Sequence, residues 1–86
     1  MINIKVAKNF QKQFKKIAAT DHQYILERVE AFASESKNID VKKMQPKKLN
    51  YYRLRAGKYR IVFYYSGSDE ATLLKIDKRD SIYFGI

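Results

Sequence analysis

Residues 51 to 79, YYRLRAGKYRIVFYYSGSDEATLLKIDKR, set arginines, lysines and tyrosines at alternating positions of an otherwise apolar stretch. A guanidinium presents a planar fork of donors that matches phosphate oxygens, and a tyrosine ring offers a face on which bases stack. The pattern therefore suits a phosphate-rich polymer. Period-two alternation puts such residues on one side of a strand. If Ala56-Gly57 is a two-residue turn, Arg55 lies opposite Lys58, Leu54 opposite Tyr59, Arg53 opposite Arg60 and Tyr52 opposite Ile61. One face then collects Tyr52, Leu54, Tyr59, Ile61 and Phe63. The other collects Tyr51, Arg53, Arg55, Lys58, Arg60, Val62 and Tyr64. Pairing Phe63 with Leu74 and Ile61 with Ile76 adds Lys75 and Asp77 to the basic face, with Arg79 following. Arg53 opposite Arg60 is a like-charge pair, which destabilises a sheet by some tenths of a kcal/mol unless something neutralises it. Asp77, across from Arg60, could do so as a surface ion network. Convergence of four or five cations with Tyr51, Tyr64 and Tyr83 favours an RNA-facing surface instead.

These residues need a sheet, and the sheet needs a cover. Ile2, Ile4 and Val6 alternate with Asn3 and Lys5, predicting a strand over 2–6. From Lys8 to Ala19, Phe10, Phe14 and Ile17 recur at helical spacing while Lys8, Lys12, Lys15 and Lys16 take the other side. Thr20 and Asp21 offer capping oxygens for a second helix, along which Ile25, Val29, Phe32 and Ala33 repeat the spacing. The stretch from Asn38 to Asn50, broken by Pro46, reads as a basic connector carrying lysines to the sheet. Strands are predicted at 51–55, 58–65 and 71–78, with a short extended piece at 82–84. The fold class is thus α+β: an N-terminal strand, a two-helix hairpin, then an antiparallel three- to four-stranded sheet with the helices on one face. The opposite face is expected to stay open.

With 86 residues the chain forms a single domain spanning 1–86. Its 45% apolar and 14% aromatic content is that of a folded protein. Cysteine is absent, which excludes disulfides and thiolate metal sites and fits a reducing, cytoplasmic compartment. No signal-peptide stretch or membrane-spanning run is evident. Eighteen Lys and Arg against nine Asp and Glu give a formal charge of +9, so the partner should be anionic. Lysines 5, 8, 12, 15 and 16 are equally explained as solubilising charges. His22, alone in the helical hairpin, reads as a surface residue.

The run LNYYRLRAGKYRIVFYY, followed by LLKIDKRDSIY, resembles the sheet of the RelE/ParE toxin superfamily. The likeness covers nearly the whole chain: a strand, a helical hairpin, a basic stretch ending in Leu, the Arg and Tyr pattern, then a hydrophobic strand leading to an Arg and a Tyr. It implies a toxin of a type II toxin–antitoxin system, bound by a cognate antitoxin. One branch of that superfamily cleaves messenger RNA on the ribosome; another poisons DNA gyrase. For the nuclease branch the resemblance implies metal-independent, cofactor-free attack of a ribose 2′-OH on its own phosphate. Arg53, Arg60, Arg79 and Tyr83 then match the catalytic positions, with Arg60 at the phosphate and Tyr83 stacking on or orienting the substrate. Lys47, Lys48, Tyr51, Arg55, Lys75 and Asp77 would contact RNA. A lysine used as general base in some relatives falls at Tyr51, which leaves Asp77, Lys48 and Tyr83 as bases and opens a third possibility, a degenerate toxin. A carboxylate bonded to arginines has a lowered pKa and is a poor base, so Asp77 is assigned an orienting role.

Overall fold

The architecture follows from three apolar stripes that bury one another. The computed structural model describes residues 1–44 and 50–78. In chain order it contains β1 (Asn3–Val6), α1 (Lys8–Lys15), α2 (Ala19–Ala33), β2 (Val41–Lys43), β3 (Tyr52–Ala56), β4 (Tyr59–Gly67) and β5 (Glu70–Asp77). The five strands form one sheet in the order β1-β5-β4-β3-β2. Every pairing is antiparallel except β1 with β5, which is parallel. The α+β reading holds, with the sheet extended to five strands. Phe10, Ile25 and Phe32 from the helices meet Leu54, Ala56, Ile61, Phe63, Leu73 and Ile76 from the sheet. The Phe32 and Phe63 rings lie 4.7 Å apart at the centre of this contact.

Several expected details are corrected. The stretch from Asn38 to Asn50 is more than a connector, because Val41–Lys43 pairs with β3 as an edge strand. A three-residue strand is too short to show a period in the sequence. Helix α1 stops at Lys15, where Lys16 and Ile17 donate to the carbonyls of Gln13 and Phe14 in tighter i→i+3 bonds. Thr20 and Asp21 are not caps: α2 begins at Ala19 without a side-chain cap, and Asp21 serves another contact described below. His22 is half-buried. Its ring stacks on Phe14 at 4.1 Å, and Nε2 lies 3.0 Å from the Phe14 carbonyl oxygen, so it ties the end of α1 to the start of α2.

The β3–β4 register is also displaced. Ala56 pairs with Tyr59 and Arg55 with Arg60, so the turn is Gly57-Lys58 and not Ala56-Gly57. Of the two residues in this turn, only Gly57 takes a positive φ, +62, as a Gly-X hairpin loop requires. Ala56 is fully buried in the core and belongs to the strand. The displacement is two residues, so the strand side chains keep their faces although their partners change. Lys58, expected on the basic face, is instead a turn residue whose Nζ lies 3.6 Å from Asp21 of α2. Between β4 and β5 a bulge intervenes: Val62 pairs with Lys75, but Phe63 pairs with Leu73, not Leu74. The extra residue sends Leu73 into the core and Leu74 to the opposite face.

Candidate nucleic-acid interface

On the face away from the helices, the corrected register lays the functional residues out in rows. One row crosses three strands as Arg55, Arg60 and Asp77. The next crosses four strands as Lys42, Arg53, Val62 and Lys75. Beyond it stand Tyr51 and Tyr64, with ring centroids 6.3 Å apart. The expected like-charge pair exists, but it is Arg55 with Arg60, while Arg53 faces Val62. Asp77 lies opposite Arg60 as expected, and its Oδ1 also accepts from the Lys78 backbone N–H at 2.7 Å. That local bond fixes the carboxylate at the end of the row. Arg60 and Lys75 are both half-buried.

Arg53 and Arg55 differ sharply in surroundings. The Arg53 guanidinium reaches Asp40 with two nitrogens, at 3.2 and 3.5 Å, and its side chain is 11% exposed. Asp40 immediately precedes β2 and lies diagonally across from Arg53, a geometry that suits opposite charges. Asp40 was not legible as part of the site, because its role depends on the edge strand that sequence periodicity missed. Arg55 is exposed. Its backbone N–H donates to the Asp40 carbonyl at 3.0 Å, leaving the side chain to extend from the rim.

The face is not wholly open. Val62 is fully buried, and Met44 packs on it together with Tyr51 and Leu74. A small apolar pad thus interrupts the cationic rows. The Met44 N–H donates to the Tyr51 carbonyl at 2.8 Å, which continues the β2–β3 ladder and holds the pad together. Arg79, Tyr83, Lys47, Lys48 and the extended piece at 82–84 lie outside the described residues.

Elsewhere, Tyr59 donates its hydroxyl to Asp21 Oδ2 at 2.7 Å, and Lys58 Nζ lies 3.6 Å from the same oxygen. The Tyr59 bond, aided by Lys58, holds the Asp21 carboxyl below its ordinary value, and the same bond pushes the Tyr59 hydroxyl up. This clamp joins α2 to the start of β4. On another surface, Ile4, Val6, Phe10, Phe14, Leu26 and Val29 line an apolar groove between β1 and the helical hairpin, about 360 Å³ in volume. No helix among the described residues is long and apolar enough to cross a membrane.

Cations in rows, flanked by aromatic rings, can hold several phosphates of one strand and stabilise added charge on any one of them. The chain is similar to known proteins over nearly its whole length. The sequence profile of the family described as "ParE toxin of type II toxin-antitoxin system, parDE" matches residues 4–83. A chain of the RelB-RelE antitoxin-toxin complex from Methanococcus jannaschii is 29% identical, with a TM-score of 0.73 over 95% of this chain and 98% of that one. A chain of the archaeal RelE-RelB complex from Pyrococcus horikoshii OT3 is 21% identical, with a TM-score of 0.70 over 92% and 96%. A chain of a Mycobacterium tuberculosis toxin-antitoxin complex shares the fold at 14% identity, with a TM-score of 0.76 over 91% and 98%. No curated protein sequence matches significantly.

Proposed function

Because the chain belongs to the ParE toxin family of type II toxin–antitoxin systems, within the RelE/ParE superfamily, we propose that it cuts messenger RNA on the ribosome in the cytoplasm. The observation that carries this reading is the pair of rows on one sheet face: Arg55, Arg60 and Asp77 beside Lys42, Arg53 and Lys75. In the reaction, a ribose 2′-OH attacks the adjacent phosphorus. The bond from 2′-O to phosphorus forms, the bond to the 5′-oxygen breaks, and a proton passes from the nucleophile to a base while another reaches the leaving oxygen. Arg60 stabilises the crowded phosphorane, and Asp77 orients it from across the strand pair. Arg53, braced by Asp40, sets charge along the track. Arg55 and Lys75 contact flanking phosphates, and Arg79, Tyr83, Lys47 and Lys48 complete the set on the strength of the family resemblance.

The partner in the resting cell is a cognate antitoxin. Support comes from the apolar groove beside the lysine-rich face of α1, which suits an amphipathic, acidic segment. The family's description as a ParE toxin supports a second reading, binding to DNA gyrase without catalysis. Cell-free translation with purified ribosomes and mapped mRNA ends separates the two. Ribosome-dependent cuts are expected. Intact message together with arrested supercoiling by gyrase would replace the nuclease reading with the second one, and loss of both activities would mark a degenerate toxin.

A further inference from the structure

A purely electrostatic track has no use for an apolar pad in its middle, yet the sheet is built to make one. The bulge opposite Val62 and Phe63 turns Leu74 toward the cationic face, where it joins Met44, Val62 and Tyr51. Tyr51 lies on this pad, and the Tyr64 ring stands 6.3 Å away at an interplanar angle of 42°. Both tyrosines are half-buried, neither being closed off from solvent. The neighbouring row on the same face carries Arg53 and Lys75 on either side of Val62. Aromatic faces on an apolar base, flanked by cations, are the elements with which proteins hold single-stranded nucleic acid: rings take bases while guanidinium and ammonium groups take the backbone.

We infer that Tyr51 and Tyr64 form a stacking platform for an unpaired base of the RNA, next to the phosphate-binding rows. This deepens the RNA reading above and rests on it. Stacking strength grows with the area of the ring system, so the platform gives the face a preference for purines that its cations alone would lack. It also gives Tyr51 a function that a lysine at that position could not supply. The competing role is structural, with the Tyr51 ring serving only to cover Val62 and Met44.

The test uses the whole chain and two single-stranded probes, 2′-O-methyl oligoadenylate and oligouridylate, which lack the 2′-hydroxyl nucleophile and cannot be cut. The adenylate probe should bind more tightly. Tyr51→Leu and Tyr64→Leu, each checked for an unchanged melting temperature, should weaken adenylate binding by roughly five- to a hundredfold. Tyr51→Phe and Tyr64→Phe should restore it, and the salt dependence should keep its slope in all four variants. Folded Leu variants that retain wild-type affinity for adenylate would overturn the platform while leaving the RNA face standing. Loss in the Phe variants equal to that in the Leu variants would overturn stacking in favour of the hydroxyls. If the wild-type chain binds neither probe, while Arg60→Ala leaves ribosome binding unchanged, the RNA reading fails and the platform with it.

Discussion

Arg60 stands between a like charge and an opposite one, with Arg55 on one neighbouring strand and Asp77 on the other. Truncating it leaves no cavity under the helices, and the repulsion with Arg55 that it relieves offsets the attraction to Asp77 that it removes, so the fold should be little harmed. Arg60→Ala should nonetheless slow cleavage about a hundredfold to a thousandfold, which corresponds to about 2.7–4 kcal/mol of barrier. Ile61, next in sequence and fully buried on the helix side, should behave oppositely. Ile61→Ala is expected to destabilise by about 2–5 kcal/mol and to lose activity only through unfolding. Urea melts and cleavage rates on the same two proteins check the pair. At the Tyr59–Asp21 clamp the expectation concerns pH. The Asp21 carboxyl titrates below its ordinary 3.8, so its contribution is complete above that value and is lost as pH falls through the folded pKa. The Tyr59 hydroxyl titrates above its ordinary 10.0, so stability falls again as pH climbs past 10.0. Tyr59→Phe should lower the urea midpoint at neutral pH, and the gap should narrow at both extremes. A gap constant across the pH range would show that the hydroxyl bond contributes nothing.

At the scale of elements, the β3–β4 hairpin depends on one glycine for two separate reasons. Gly57 holds φ +62, and a Cβ added there would sit 2.9 Å from Cε2 of Tyr24. Gly57→Ala should therefore cost about 1–2 kcal/mol for the left-handed backbone alone, with the contact against Tyr24 in addition. Adding Tyr24→Ala should recover the steric part and leave the backbone part. Equilibrium unfolding of the two variants separates these contributions. If the single variant is as stable as the wild type, neither the left-handed backbone nor the contact with Tyr24 constrains this turn.

Over the whole molecule, a formal charge of +9 makes association steeply salt-dependent. Binding of single-stranded RNA should weaken on a log–log plot with a slope of about −0.7 for each phosphate neutralised, so four to six contacts give about −3 to −4. A flat response would reduce the basic surface to a solubilising one. The apolar groove between β1 and the hairpin belongs to the same scale. Leu26 at its lip is 48% exposed, so Leu26→Asp should shift the melting temperature little. It should loosen the complex with the antitoxin and release toxicity, as measured by co-purification and growth. Undiminished co-purification would place the antitoxin elsewhere on the surface.

Alternation of Arg and Tyr with buried Leu, Ile and Phe determined which residues share a face, because a strand's side chains alternate whatever its partner. For that reason the cationic face could be assigned from the sequence, Lys58 apart, even though the hairpin register was displaced by two. The order of strand, helical hairpin and sheet was legible for a related reason: each element has an apolar stripe of its own period. Pairing across strands was decided by tertiary structure, since it depends on which residue occupies a turn and where a bulge falls. The preference of a Gly-X loop for Gly in its first position was the one local signal that could have placed the turn at Gly57-Lys58. Nothing local marked Leu74 for the cationic face, because adjacent leucines at 73 and 74 are equally apolar and only packing against the helices selects one. Asp40 and Arg53 met through an edge strand too short to have a period, and His22 was drawn inward by an aromatic ring eight positions earlier. These contacts join residues whose separation in the chain bears no relation to their distance in space.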